Sequence, residues 1–554
     1  MSTLSVSTRV SNTEPYLLPD STMPKVNSPV EEVSMDGVMA NPNAGNPMQE
    51  SEIDYLRLIL TARVYDVAIE TPLQKACNLS DRLSNTVLLK REDLQPVFSF
   101  KLRGAYNRMS NLTEAEKEKG VIACSAGNHA QGVALAAKTM GIRATIVMPV
   151  ATPPIKWKNV ERLGAKVVLH GLDFEEAKQE CARLCKETGM TNIPPYDDPF
   201  VIAGQGTIGV EIFRQYDFRK IDAIFICIGG GGLVAGIASY VKRLNPAIKI
   251  VGVEAYDANA MTRSLLAGKR LTLPEVGLFA DGAAVRSVGV ETFRICRSLV
   301  DELVLVTTDE ICAAVKDIFE DTRSIMEPAG ALGLAGLKKY VHKTNTIGKT
   351  LVAITCGANM NFDRLRFVAD RADLGERREG FLWIKIPERP GSFAELYDCI
   401  HPRNVTEFSY RFDDPAVAHV IISFALLDRD NDLASVLETL DAKGMWAMDL
   451  AENEMAKAHA RFLVGGRKNV PYERVFRFSF PERLGAMRPF IYSLRNQWNV
   501  TLFHYRNYGG DIGKVMAGMS VPPGTEKAFD KMLSEVKYPY FEETDNPIYE
   551  YFLK

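Results

Sequence analysis

"AIFICIGGGGLVAGIASY", Ala223 to Tyr240, runs from an apolar stretch through four consecutive glycines into a run of small and apolar residues. The first part has the composition of a buried strand and the last the spacing of a helix, so the glycines occupy a strand-to-helix turn. Gly229, Gly230, Gly231 and Gly232 let successive backbone N–H groups converge on an anion, with the positive end of the helix dipole behind them. A phosphate is the natural guest. Two other readings stay open for the turn alone. Gly230-x-Gly232-x-x-Ala235 also satisfies the relaxed dinucleotide-binding pattern, and Glu254 ends the next strand about where a ribose-binding acid would stand. A purely structural tight turn is the third.

The flanking sequence repeats the same alternation. From about residue 85 to 360, short apolar runs such as "NTVLLKRE", "VIACSA", "RATIVMP", "KIVGVE" and "LVAITCGAN" alternate with longer amphipathic stretches. That pattern predicts an α/β region with a largely parallel sheet, in which ligands sit at the carboxyl ends of strands. Two further strand ends carry chemistry. "LKREDLQPVFSFKLRGAY" places Lys101 after a strand and a Pro-containing loop, beside Phe98 and Phe100. A lysine among aromatics loses solvation, which lowers its pKa and makes the amine available for a Schiff base. An ordinary lysine with its stem on apolar surface reads the same way. "CSAGNHAQGVALAAK" sets Ser125, Gly127, Asn128, His129 and Gly132 at the start of a helix, where small and amide-bearing residues form a carboxylate cradle. A reactive lysine, a phosphate cradle and a carboxylate cradle in one α/β unit describe pyridoxal phosphate and an amino acid.

The whole chain sets bounds. Its 554 residues predict three or four domains, and a net charge of −3 from 66 basic and 69 acidic residues gives no reason to expect nucleic acid or a membrane surface as partner. No apolar run reaches the roughly 18 residues of a transmembrane helix. The nine cysteines include no paired C-x-x-C motifs, which fits a reducing compartment and free thiols; Cys181 and Cys185 read as half-buried helix residues. Residues 1–50, rich in Ser, Pro, Asn and Met, read as a disordered tail. Its first thirteen, "MSTLSVSTRVSNT", carry one Arg and no acid, in the manner of a transit segment. Order is expected from "EIDYLRLILTARVYD", whose apolar spacing suits a helix.

Near its end the chain repeats itself. "NVTEFSYRF" begins at Asn404 and "NVTLFHYRN" at Asn499, an offset of 499 − 404 = 95. Upstream, "FLWIKIPERPGSFAEL" is echoed by "RVFRFSFPERLGAMRPF"; downstream, "AHVIISFAL" is echoed by "GKVMAGMSV". Three blocks in order predict a duplicated module of roughly 90 residues. Each copy reads strand, Pro-Glu-Arg turn, helix, strand, strand, the opening of a ferredoxin-like βαββαβ unit. A duplicated oligomerisation domain without a ligand is the alternative.

"SFKLRGA", "SAGNHAQG", "GGGGL", "FADGAAVRSVG", "EPAGA" and "TCGAN", in that order, resemble the fold-type II pyridoxal-phosphate enzymes (tryptophan synthase β-like), and among them the biosynthetic threonine deaminase family. The duplicated modules resemble amino-acid-binding ACT-like domains. The resemblance implies a catalytic domain over 51–375 and ferredoxin-like α+β regulatory modules over 376–466 and 467–554. It implies that Lys101 binds pyridoxal 5'-phosphate covalently and removes the substrate Cα proton. Phe100 would pack near the cofactor ring, Asn128 would bond the ring 3′-oxygen, and Gly229 to Gly232 with Leu233 would take the phosphate. Ser125, Gly127, Asn128 and His129 would hold the substrate carboxylate. Cys356 falls beside the pyridine nitrogen, where a neutral partner favours β-elimination over transamination.

The implied reaction turns L-threonine, and L-serine beside it, into a 2-oxo acid and ammonia: 2-oxobutanoate from threonine, on the way to isoleucine. Isoleucine would inhibit and valine relieve through the modules, where Tyr410 and Tyr505 match effector-site tyrosines; aromatic packing between the modules is the other reading of those two. A homotetramer and a mitochondrial matrix location follow from the same resemblance, with the cytoplasm as alternative. Some relatives hold a divalent metal after the "VGVE" strand, but "AYDANA" supplies no second carboxylate in register with Glu254. No divalent metal is expected, and a monovalent cation stays open. The rivals are a β-replacement enzyme or threonine synthase on the same fold, an NAD-dependent dehydrogenase, and a non-catalytic amino-acid sensor. The intact Lys101, Asn128 and tetraglycine argue against the last.

Overall fold

The computed structural model describes residues 37–46, 53–462, 466–481, 487–494, 498–506, 512–536 and 538–554. Among them no helix is long and apolar enough to cross a membrane. The chain divides into two compact units, residues 33–376 and residues 377–554.

The first unit holds two sheets among the described residues. The larger has the strand order Val38–Ala40, Glu302–Val306, Lys249–Ala255, Ala223–Cys227, Thr350–Thr355, Thr86–Arg91, Leu73–Lys75. Its two edge strands are antiparallel and the five between them parallel. The smaller sheet, Lys166–Leu169, Ala144–Met148, Val121–Cys124, Thr191–Asn192, is parallel throughout. Helices cover both faces of the central strands, so Ala223–Cys227 is buried along its whole length and reads as an unbroken apolar run. The sequence predicts a largely parallel sheet, and the structure divides those strands between two lobes, each with its own apolar core. Periodicity does not encode that division, because inner strands of both lobes are apolar on both faces.

Two local differences have simple causes. Of the tail expected to be disordered, residues 1–36 and 47–50 lie outside the described residues. Residues 37–46 depart from the expectation: Val38–Ala40 pairs with Glu302–Val306. Asn41 Nδ2 donates to the carbonyls of Arg297 at 3.0 Å and Val300 at 2.7 Å. An unpaired sheet edge and the free carbonyls at a helix C-terminus supply partners that composition does not reveal. The first helix, Tyr55–Leu60, is shorter than its apolar spacing predicts; Asp54 caps it, and the Thr61 hydroxyl donates to the Arg57 carbonyl at its end. Cys181 and Cys185 lie on the helix Phe174–Thr188 as expected, Cys181 buried.

In the second unit each copy folds as βαββαβ. The first is Glu379–Pro387, Ser392–Ile400, Val405–Arg411, Val417–Ala425, Arg429–Ala442, Trp446–Asp449; the second is Glu473–Pro481, Met487–Leu494, Asn499–Arg506, Ile512–Ser520, Glu526–Glu535, Tyr540–Glu542. Gly391, with φ +95°, makes the turn into the first copy's helix, a conformation that favours glycine. The copies join through their "NVT" strands into one antiparallel sheet. Phe408 pairs with Tyr505, Ser409 with His504 and Tyr410 with Phe503. Ser409 and His504 are equivalent positions of the repeat (504 − 409 = 95), so the two copies meet about a local two-fold axis at that pair.

Candidate active site

Lys101 is the first residue of the helix Lys101–Ser110. The loop before it is tied to the end of the neighbouring strand: Phe100 N–H donates to the Cys356 carbonyl at 3.4 Å and Ala358 N–H to the Phe98 carbonyl at 2.9 Å. The Lys101 amine lies 5.4 Å from the centroid of the Phe100 ring and donates to the Pro195 carbonyl at 3.0 Å. Burial pushes its pKa down, against the pull of Cys227, Cys356 and Glu327. Two residues on, Arg103 anchors the same helix. Its guanidinium forks onto Glu92 with both bonds at 2.8 Å and reaches Glu211 at 2.6 Å, while Lys90 reaches Glu211 at 2.6 Å. All four side chains are wholly buried. Two cations face two carboxylates, so the network balances its charge where solvent does not reach.

The glycine turn is fixed by what lies on it. A Cβ at Gly230 would stand 2.2 Å from the Tyr196 ring, one at Gly232 3.0 Å from Tyr196 Cβ, and one at Gly229 3.0 Å from Ala283 Cα. Gly231 has φ +96° and leads the helix Gly232–Leu244, whose N-terminus has no side-chain cap. Its first N–H groups are thus left for an anion. Leu233 is buried in the core behind the turn. Thr292 Oγ1 donates to the Gly230 carbonyl at 2.6 Å. Pro195 and Tyr196 are adjacent, so one short segment touches both the lysine amine and the glycine turn.

The third strand end opens the helix Asn128–Met140, again without a side-chain cap. Ser125 Oγ accepts from Gly127 N–H at 3.3 Å, and nothing lies within 4 Å of where a Gly127 Cβ would be. Asn128 Nδ2 donates to Glu327 Oε1 at 2.5 Å, and its Oδ1 accepts from Asn359 Nδ2 at 2.6 Å. A Gly132 Cβ would lie 3.0 Å from Leu102 N, a close approach that sets this helix against the helix of Lys101. His129 lies in the first turn of the helix Asn128–Met140. Its ring is buried with Nε2 on the Ile193 carbonyl at 2.8 Å, and burial, then the charge of Lys101, pushes its pKa down to about 3. A neutral ring so engaged does not grip a carboxylate; what His129 offers at the helix end is its backbone N–H.

Cys356 Sγ donates to the Ala329 carbonyl at 3.2 Å. A hydrogen bond with Cys227 and burial push this thiol well above its usual range, so it is neutral. Glu254 accepts from Met261 N–H at 3.0 Å and from Thr262 N–H and Oγ1 at 2.7 and 2.6 Å. Its carboxylate caps the helix Ala260–Leu266, which removes the ribose-binding role and with it the dinucleotide reading of the glycines. Four residues of the site had no role in the sequence reading: Tyr196, Cys227, Glu327 and Asn359. Glu327 and Asn359 stand inside the quoted motifs "EPAGA" and "TCGAN", Cys227 ends the strand before the glycines, and only the Pro-Pro-Tyr run marks Tyr196.

A desolvated lysine amine, two uncapped helix N-termini and a buried neutral thiol are the groups that would hold pyridoxal phosphate and an amino acid carboxylate. Residues 64–357 match the family of pyridoxal-phosphate dependent enzymes. Residues 370–460 and 464–553 each match the C-terminal regulatory domain of threonine dehydratase. The chain belongs to the threonine dehydratase family. The mitochondrial threonine dehydratase of Saccharomyces cerevisiae is 55% identical over 514 residues, 90% of this chain and 89% of that one. The biosynthetic L-threonine dehydratase of Escherichia coli is 47% identical over 501 residues, 90% of this chain and 97% of that one. Among solved structures, the processed form of threonine deaminase isoform 2 from Solanum lycopersicum matches 62% of this chain and 99% of its own, with a TM-score of 0.59 and 48% identity. Maize serine racemase matches 58% of this chain and 97% of its own, with a TM-score of 0.54 and 32% identity.

This member of the threonine dehydratase family is thus a pyridoxal phosphate-dependent lyase with two regulatory domains. In it, Gly230→Val is expected to force Tyr196 off the turn. Overpacking strain of about 1–3 kcal/mol corresponds to a loss of cofactor affinity of roughly 5- to 150-fold. Titration of the apoprotein with pyridoxal phosphate, followed by absorbance, measures it.

Proposed function

We propose that this chain converts L-threonine to 2-oxobutanoate and ammonia at Lys101, committing carbon to isoleucine, with L-serine as a second substrate. Bound pyridoxal phosphate supplies the electron sink that acidifies the substrate Cα–H. Lys101, whose amine burial favours in its neutral form, takes that proton. Ser125, Gly127 and the first N–H groups of the Asn128–Met140 helix hold the substrate carboxylate. The glycine turn with Leu233 holds the cofactor phosphate, Phe100 packs near its ring and Asn128 donates to its 3′-oxygen. Cys356 faces the ring nitrogen as a neutral thiol, which favours departure of the β-hydroxyl over transamination. Water lost at Cβ is regained at Cα, so threonine leaves as the oxo acid and ammonia. The observation that carries this reading is the Pro195–Tyr196 segment, which sets the desolvated lysine beside the glycine turn. The test is the absorbance spectrum of the protein before and after L-threonine. A visible cofactor band perturbed by threonine, with keto acid released, is expected; no band after adding pyridoxal phosphate overturns the reading.

The same reading makes the second unit a sensor, inhibited by isoleucine and relieved by valine. A small cleft with a cavity of about 20 Å³ lies between its two copies, lined by Arg389, Phe393, Ile491, Trp498, Val500 and Phe503 among others. Its apolar walls suit a branched side chain. Arg389, which also pairs with Glu395 at 2.9 Å, and the Trp498 indole N–H, buried with no partner among the described residues, suit a carboxylate. Beside Arg389, Glu388 accepts from the Tyr410 hydroxyl and from Asn499 Nδ2, and its carboxylate suits an ammonium group. Tyr410 therefore acts through Glu388, with its ring edge-on to Phe393 at 5.0 Å. Tyr505 is buried opposite Phe408 and does not line this pocket. Tyr410→Phe is expected to raise the isoleucine concentration for half-inhibition about tenfold, the scale of one lost hydrogen bond to a charged group. An unchanged inhibition curve removes Tyr410 from the sensor.

A homotetramer and a mitochondrial matrix location complete the reading. The location is supported by the mitochondrial relative in Saccharomyces cerevisiae. Native mass measurement and cell fractionation test the two.

A further inference from the structure

Asn128 stands in a chain of hydrogen bonds whose direction is fixed from one end. Asn359 Nδ2 donates to the Val97 backbone carbonyl at 2.9 Å and to Asn128 Oδ1 at 2.6 Å. A backbone carbonyl only accepts, so Asn359 must present its NH₂ here, and Asn128 must receive with its oxygen. The Asn128 NH₂ then points the other way, where Glu327 Oε1 takes one of its two hydrogens at 2.5 Å. Among the described residues, one N–H of Asn128 is left over.

Glu327 is built to be an acceptor at that place. It directly precedes the helix Pro328–Thr344, and its own N–H donates to the Gly357 carbonyl at 3.2 Å. The side chain is buried, 5% exposed. Two glycines clear the room it needs: a Cβ at Gly357 would stand 2.4 Å from Glu327 Oε1 and 3.2 Å from Asn128 Nδ2, and one at Gly282 3.5 and 3.8 Å from the same atoms. Burial pushes the carboxyl up to about 7, with the Asn128 bond, Lys156 and Arg364 pulling it down and Asp281 pushing it up. In either protonation state Oε1 keeps a lone pair for Asn128.

We propose that Glu327 is a positioning residue: it locks the Asn128 carboxamide so that the remaining N–H is aimed at the 3′-oxygen of the cofactor ring. The proposal rests on the reading of Lys101 and Asn128 as the cofactor site. Asn359 sets which end of the amide faces the ring, and Glu327 sets its rotation. Removing Glu327 leaves Asn128 held at its oxygen by Asn359 alone, with its NH₂ less firmly aimed, which weakens its bond to the ring oxygen.

The experiment compares full-length Glu327→Ala, Glu327→Gln, Asn128→Ala and the Glu327→Ala/Asn128→Ala double variant as apoproteins titrated with pyridoxal phosphate. Cofactor affinity and the position of the visible band are read. Glu327→Ala is expected to weaken binding about threefold to tenfold, the scale of one hydrogen bond, and to move the band as Asn128→Ala does. Glu327→Gln, which keeps a carbonyl acceptor, is expected to restore both. In the double variant the effect of Glu327→Ala disappears, because residues acting through one another are not additive. Additive losses, or a Glu327→Ala band and affinity equal to the unmodified protein's while Asn128→Ala shifts both, overturn the proposal. Should Glu327→Ala fail to fold, Glu327→Met fills the volume without an acceptor and is read the same way. An unmodified protein that takes up no cofactor is the separate failure of the underlying reading.

Discussion

Lys101→Ala is expected to give a folded protein with no visible cofactor band and no measurable threonine turnover. Loss of the proton-transferring group alone lowers the rate by about 10²–10⁴-fold, and loss of the covalent attachment removes more. Folding survives because the helix bearing Lys101 is held by Arg103, Leu102 and its neighbours, whereas the amine gives up its bond to the Pro195 carbonyl and its place by the Phe100 ring. Lys101→Arg is expected to be equally inactive, since a guanidinium does not deprotonate in a protein. Circular dichroism, the absorbance spectrum and keto acid release together check the prediction. A Lys101→Ala protein that keeps the band and a tenth of the turnover would return the site to the open alternatives.

Arg103→Ala is expected to destabilise the first unit by about 3–5 kcal/mol, the cost of breaking a buried ion pair from one side. Glu92 and Glu211 would then share Lys90 alone, both wholly buried. Burial by itself would raise the Glu92 carboxyl, and Arg103 holds it below the ordinary carboxylate range. A carboxyl lowered in the folded state contributes stability that is present above its unfolded pKa and is lost as pH falls through the folded one. The unmodified protein is therefore expected to lose this contribution only in acid. In Arg103→Ala the Glu92 carboxyl, left to the effect of burial, makes stability fall as pH rises toward neutrality, a reversal of sign. Urea unfolding at several pH values measures both the loss and the reversal. Because Arg103 lies two residues from Lys101, the variant that still folds is also expected to lose turnover.

How much of this was legible depends on the kind of interaction. The α/β class and the duplicated βαββαβ copies show in the sequence because burial on two faces writes continuous apolar runs and a repeat writes itself twice. Lys101 and the tetraglycine show because their chemistry is local: a lysine beside Phe100, four glycines between a strand and a helix. For His129 the sequence shows the place at a helix start but not the Ile193 carbonyl that its ring finds sixty-four residues away. Glu254 left an alternative open in the same manner, standing where a ribose acid would stand while serving the next helix. Tyr196 and Glu327 act across long sequence separations, and no spacing rule announces a ring over a glycine or a carboxyl behind an amide. The strand Val38–Ala40 was hidden because its order is lent by a sheet edge far along the chain, Val38 pairing with Val304 (304 − 38 = 266).

The axis through Ser409 and His504 has an evolutionary consequence. A sensor made from two identical chains carries two identical pockets, and every mutation strikes both at once. Here the two halves are related by the same rotation but written separately in one chain, so each can drift alone. Asn499 reaches Glu388 across the join, so each half touches residues of the other. Such a protein can come to answer two related metabolites with opposite sign, a response closed to a strictly symmetric pair.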